Sequence, residues 1–386
     1  MNIIAGIINQ QVCTMEQISS PRVPFYTINY AAPIETFLSK GTRWPELSNM
    51  APLGQTIEQY PIEYSSTEQG YQLLVTYLFD EEQAKQDISD LKLGARDIKA
   101  ISRRNKSKFL DPETTERLRP ALPHLMRTVL LEKFKIPKFR NALLATGHAQ
   151  LLEANRTDSF WGIGLGPEDV AFGRRPRPCY NVMGRLLEEL RTFIRHGIAS
   201  WPKVLILGDN MAAPLVKMAA SKGWFAIAWP GATMQFLIRL ATCIATPQTN
   251  TIVILGGYRT ALRSKPFEGR LLDTPSKVMR RVRRHICSFD YLLNDGAQAI
   301  IAPPPPTWDV GQDDVGKWTK EFTQLFQDIK RLFPDRARKS TMPHYPPELL
   351  ETDAWETGPS DNPPAEPQIT EPYVGFLRQW VERQIS

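Results

Sequence analysis

Cysteine is scarce: four residues in 386, Cys13, Cys179, Cys243 and Cys287. They lie far apart, form no C-x-x-C pair and match no histidine spacing, which argues against a disulfide framework and against a zinc finger. No apolar run approaches the roughly 18–20 residues that span a bilayer, so no membrane partner is expected. The opening MNIIAGIINQQV lacks the charged flank and the length of a secretory leader. An intracellular protein, cytoplasmic or nuclear, is the expectation. Internal repeats are also missing, which sets aside solenoids and propellers.

What remains is an ordinary globular composition, 42% hydrophobic and 23% charged, with length enough for roughly two to three domains. The net charge of +6 is unevenly spread. Residues 346–386 hold eight acidic side chains against Arg378 and Arg383, leaving a tail of −6 and a body of +12. A basic body suits polyanionic partners without specifying any.

Texture divides the chain. Residues 1–35 show no sustained periodicity and are expected to form an arm. Residues 36–197 are mainly helical, with helices over Glu81–Ser89, Asp111–Phe134 and Phe139–Glu153 punctuated by Pro112, Pro137 and Gly147. DSFWGIGLG suits a short strand and turn, and MGRLLEELRTFIRH an amphipathic helix. Residues 200–342, with an extension to 356 open, alternate apolar strands (203–209, 225–229, 251–257, 297–302) with helices, two of them over 275–285 and 317–333. That alternation predicts a doubly wound α/β domain with a parallel sheet. Residues 343–386 read as a Pro- and acid-rich tail ending in one amphipathic helix.

Four patches carry polar residues where the first domain would prefer apolar ones: Glu68; Lys99 with Arg103; Asp158, beside Trp161; and Asn181. Two carboxylates can activate water and orient or protonate a sugar. Lysine and arginine hold phosphates, and an aromatic ring beside glycines such as Gly162 offers a flat platform. Plainer readings stand beside these. Glu68 follows Ser65–Ser66–Thr67, where a helix would begin, so it suits capping. Lys99 and Arg103 are four apart and suit a solvated helix face. Asp158 suits a turn, and Trp161 a core. GIGLG (162–166) has the wrong spacing for a dinucleotide fingerprint.

FLSKGTRWPELSNMAP, YSSTEQGYQ, GARDIKAISRR, LLATGHAQLLEANRTDSFWGIGLG and NVMGRLLEELR occur in that order over about residues 36–195. The series resembles the NADAR family, the riboflavin-biosynthesis-intermediate N-glycosidase type whose members also include ADP-ribose–guanine hydrolases. The resemblance implies a helix-rich α+β fold and hydrolysis of an N-glycosidic bond to a phosphorylated ribose. It assigns catalysis to Glu68, Asp158 and Lys99, the last as phosphate ligand or as an amine trapping an opened ribose. Trp161, Arg103, Asn181, Lys40, Asn49 and Gly162 would bind substrate, an ADP-ribosyl or phosphoribosyl compound, with no cofactor and no metal. The chain departs from the family where Cys179–Tyr180–Asn181 replaces GRN, Ser102 replaces a glycine, and His148 replaces an acid.

KVLILGDNMA, WPGATMQ, TIVILGGYR and ETDAWETG resemble the SGNH (GDSL-like) hydrolases over residues 201–356. The serine position there is Asn210, the asparagine position Tyr258 and the histidine position Glu356, while Asp209, Gly231 and Asp353 remain. An amide cannot serve as the acyl nucleophile, so this domain is expected to be inactive and an esterase is disfavoured. Arg280, Arg281, Arg283 and Arg284, with Lys277, suit either a solvated helix or a strip along a nucleic-acid backbone. Two functions therefore compete: a glycosidase that removes ADP-ribose from guanine in nucleic acid, or an inactive binding or scaffold protein for such ligands.

Overall fold

The computed structural model of the protein describes residues 25–38, 41–59, 61–174, 176–197, 201–209, 212–229, 232–255, 298–302, 355–356, 368–369 and 371–385. The chain divides into two units, Arg22–Ser200 and one that takes in Trp201–Ser386. No helix among the described residues is long and apolar enough to cross a membrane.

The first unit is a helix-rich α+β fold. It begins with β1 (Ile34–Phe37), a 3-10 turn at Pro45–Leu47, and an antiparallel hairpin of β2 (Pro52–Gln59) and β3 (Ile62–Ser66). Six helices follow: α1 (Thr67–Leu78), α2 (Glu82–Ile88), α3 (Ala95–Phe109), α4 (Pro112–Leu118), α5 (Leu122–Lys133) and α6 (Pro137–Ala145). Then come β4 (Gln150–Glu153), α7 (Pro167–Ala171) and α8 (Val182–His196). β4 returns to pair parallel with β1, placing Glu153 opposite Phe37.

α1 is the central element, packed against β3, α2, α3 and α5 and buried at every position except Tyr77. Its start is fixed locally. The Ser66 hydroxyl accepts the Gln69 amide at 3.2 Å, and the Gln69 side chain donates to the carbonyls of Ile88 and Asp90. Gly70 lets the helix lie on Tyr64, because a Cβ there would come within 2.9 Å of the ring.

Four expectations change here. The helix expected over Asp111–Phe134 is two helices, divided around Pro120, which has no amide to donate. The helix expected to reach Glu153 ends at Ala145, since Gly147 turns the chain with φ 61° into β4. DSFWGIGLG forms turns without a strand; the strand is the apolar stretch just before it. Residues 25–33 are no free arm. Tyr26 bridges Cys179, and Ile28 is buried with Leu152, Ile163 and Cys179, contacts that a single extended segment makes without any periodicity.

The second unit holds a parallel sheet of β5 (Val204–Gly208), β6 (Phe225–Ala228), β7 (Thr251–Leu255) and β8 (Gln298–Ala302), in the order β6-β5-β7-β8. Every residue of β5, β6 and β7 is buried, as continuous apolar strands require. Between them lie α9 (Ala213–Ser221) and α10 (Met234–Ile244). β9 (Trp355–Glu356) and β10 (Gln368–Ile369) form a short antiparallel pair. The last helix, α11 (Glu371–Ile385), was expected within a tail. It packs instead into the core of this unit: Leu377, Trp380 and Val381 join α9 and one face of the sheet. Each such side chain withdrawn from water contributes about 1.5–3 kcal/mol. Lys222 and Glu382 close the same contact at 2.7 Å. The helices expected over 275–285 and 317–333 lie outside the described residues.

Candidate active site

The N-terminal turn of α1 delivers Glu68, only 2% exposed, into the interior of the first unit. Asn49, just after the 3-10 turn, addresses it twice. The Asn49 amide donates to Glu68 Oε2 at 2.5 Å, and the Glu68 backbone N–H donates to the Asn49 carbonyl at 2.9 Å. Gln72, one turn on, donates to Oε1 at 2.7 Å. Both carboxyl oxygens thus act as acceptors.

The Asn49 segment is itself anchored from below. Lys133, at the end of α5, is completely buried and donates to the Ser48 carbonyl at 2.7 Å. Its ammonium lies 5.4 Å from the Phe134 ring and 5.0 Å from that of Phe139. Burial pulls the Lys133 pKa down to about 7, against a small opposing effect of Glu46.

Aromatic residues stand beside Glu68. Tyr71, on the same helix, meets Trp161 edge to face, with ring centres 5.4 Å apart at 81°, and Phe160 meets Trp161 at 5.2 Å. Burial, with the charges of Glu68 and Asp158, holds the Tyr71 phenol far above its usual range and so neutral. Lys106 of α3 places its ammonium 5.1 Å from the Tyr71 ring. Burial and the neighbouring Lys99 pull the Lys106 pKa down to about 8, while Glu68 opposes them.

Asp158 organises the turn after β4, where its Oδ1 accepts the amides of Phe160 at 3.0 Å and Trp161 at 2.8 Å. Glu153 ends β4 and is 8% exposed, and its Oε2 has no hydrogen-bond partner among the described residues. Burial raises its pKa to about 8. Asp158 and Glu68 reinforce that shift and Lys99 counters it. Glu68 and Asp158 both act on Tyr71, and Glu68 and Lys99 both act on Lys106, so these side chains share one electrostatic neighbourhood.

The structure therefore brings together Glu68, Asn49, Lys99, Asp158 and Trp161 from the sequence reading. Arg103 follows Lys99 by one turn and is exposed. Ser102, between them, is buried, and its hydroxyl has no hydrogen-bond partner among the described residues.

Two of the expected substrate contacts are engaged by the surrounding backbone. Asn181 is fully buried in the left-handed region, φ 45°. Its amide receives the Glu153 N–H at 3.2 Å and donates to the Leu151 carbonyl at 2.9 Å, tying α8 to β4. Gly162 is buried against the Glu153 carbonyl, which a Cβ would approach to 2.5 Å. Both are polar or small because backbone passes close by. Lys40 and Arg280, Arg281, Arg283 and Arg284 lie outside the described residues, as do Asn210 and Tyr258.

Tyr71, Lys106 and Glu153 were missed. Lys106 was within reach of the sequence, seven residues after Lys99 and so on the same helix face. A groove lined by Glu46, Met50, Arg96, Asp97 and Lys138 contains none of the site residues. Among the described residues no group of three His, Cys, Asp or Glu side chains is placed to hold a metal.

Residues 36–195 match the family model of the NADAR domain. The matched stretch takes in every residue of the site. No curated protein matches the chain.

Proposed function

We propose that the NADAR domain hydrolyses the N-glycosidic bond between a base and a phosphorylated ribose, and that its substrate is ADP-ribose attached to guanine in nucleic acid. The observation that carries this reading is Glu68: a buried carboxylate held through both oxygens, beside an aromatic wall and two lysines. Breaking a C1′–N bond develops positive charge on the sugar. Glu68 stabilises that charge and takes a proton from the attacking water. Trp161 bounds the sugar or base. Lys99, Lys106 and the exposed Arg103 receive phosphate oxygens, and Asp158 fixes the turn that presents Trp161.

For the second unit we propose a non-catalytic role. An asparagine at residue 210 offers no acyl nucleophile, and Arg280, Arg281, Arg283 and Arg284 suit contact with a nucleic-acid backbone. On this view the unit holds the polyanion while the first unit cleaves.

The test is release of ADP-ribose, read by mass spectrometry, from an oligonucleotide carrying ADP-ribosylated guanine. Glu68→Gln keeps the shape and removes the base. It should abolish turnover and leave ADP-ribose affinity within about tenfold. An unchanged rate would remove Glu68 from the chemistry. Tight ADP-ribose binding without release by the wild type would make the protein a reader of this modification.

A further inference from the structure

Glu153 is the one buried carboxyl group of the site that has an oxygen unpartnered among the described residues. Its backbone is fixed on both sides: the N–H donates to Asn181, and the carbonyl accepts from Ile163 at 3.0 Å. The side chain therefore extends from a rigid root. The charged groups around it come from three elements: Asp158 in the turn after β4, Glu68 on α1 and Lys99 on α3. The other two carboxylates are committed as acceptors, Glu68 through both oxygens and Asp158 through Oδ1. An ionised Glu153 would add a third negative charge in a dry place with a single lysine to offset it.

We propose that Glu153 is the proton donor of this site, delivering its proton to the nitrogen that leaves C1′. The proposal rests on the N-glycosidase reading above and names the acid that reading lacked. As the C1′–N bond breaks, its electron pair passes to nitrogen and the Glu153 proton bonds there, so the base departs neutral. Water oxygen bonds to C1′, and the proton it sheds passes to Glu68. Return of that proton through solvent to Glu153 restores both groups. Burial and the flanking carboxylates keep the acid protonated near neutral pH, where a donor of this kind is most effective. Asp158 is then a positioning residue and Glu153 the acid, two roles that the spacing of the sequence does not separate.

The experiment compares wild type and Glu153→Gln in the full chain on the ADP-ribosylated guanine oligonucleotide, from about pH 6 to about pH 10. At saturating substrate, where a loss of affinity does not enter, the wild-type kcat should fall above about pH 8. The variant should be slower by about 10²–10⁴-fold and lack that falling limb, with ADP-ribose affinity within about threefold of wild type. Turnover within about threefold of wild type, or a falling limb that persists, would overturn the proposal. Infrared difference spectra read Glu153 without substrate. A carboxylic-acid C=O band near neutral pH should vanish on alkaline titration and be missing from the variant. Lack of that band in the wild type would overturn the proposal whichever substrate the protein takes. No release of ADP-ribose by the wild type, with the band present, would instead overturn the substrate reading and not the acid.

Discussion

Asn49 holds Glu68 at two points, with its side-chain amide on the carboxylate and its carbonyl on the backbone N–H. The backbone bond survives any substitution at residue 49, but the amide does not. Asn49→Ala should therefore leave Glu68 in place and free Oε2 to swing. Turnover should fall about 10–100-fold, mostly in kcat, with ADP-ribose affinity nearly unchanged. Steady-state kinetics beside a direct binding titration check this; a loss confined to affinity would make Asn49 a ligand contact.

Lys106 predicts a pH dependence of binding. Its pKa in the folded protein is about 8, so the ammonium is charged below that pH and neutral above it. Attraction for phosphate is present at acid and neutral pH and is lost as pH rises through about 8. ADP-ribose affinity of the wild type should decline over that range. Lys106→Met should bind about tenfold more weakly near neutrality and lose much of the slope. Calorimetry at several pH values decides it, and an undiminished slope in the variant would assign the titration elsewhere.

Gly184 sits one helical turn into α8, where a side chain would run into the Leu151 carbonyl and the Asn181 amide. Gly184→Ala should cost about 1–3 kcal/mol and lower the melting temperature of the first unit. The N-x-x-G pattern is thus a packing device that lets α8 press onto β4. A melting temperature equal to wild type would contradict it.

Lys133 makes stability depend on pH. In an unfolded chain a lysine titrates near 10.4, while in the fold Lys133 does so at about 7. Between those values the unfolded state binds the proton and the native state does not, so stability rises with pH across the window. Below about 7 both states are protonated and the penalty is constant. Wild type should gain stability relative to Lys133→Met as pH rises from about 7 to 10, by thermal denaturation. A constant difference would mean that the buried amine stays charged.

The sheet of the second unit was legible because uninterrupted apolar runs such as VLILG and TIVIL have one good use, a strand covered on both faces. Glu68, Asp158 and Trp161 were legible as motif members. Depth was not. Asn181 and Glu153 look alike in sequence, each a polar residue at the edge of an apolar stretch. The fold gives the amide two backbone partners and leaves one oxygen of the acid without a partner among the described residues. That distinction depends on residues far apart along the chain meeting around β4. The packing of α11 was hidden for a similar reason, since amphipathicity shows that a helix has a partner and not which one.

The ties that root Glu153 have a thermodynamic consequence. Asn181 joins β4 to α8 through two hydrogen bonds, and Gly162 closes the turn against the same strand. The conformational entropy of ordering this acid is spent when the chain folds, so a ligand arriving later meets a group already in position. Loosening Asn181 would move part of that entropic cost from folding to binding. It would weaken the association through the ordering of Glu153, although Asn181 itself is fully buried.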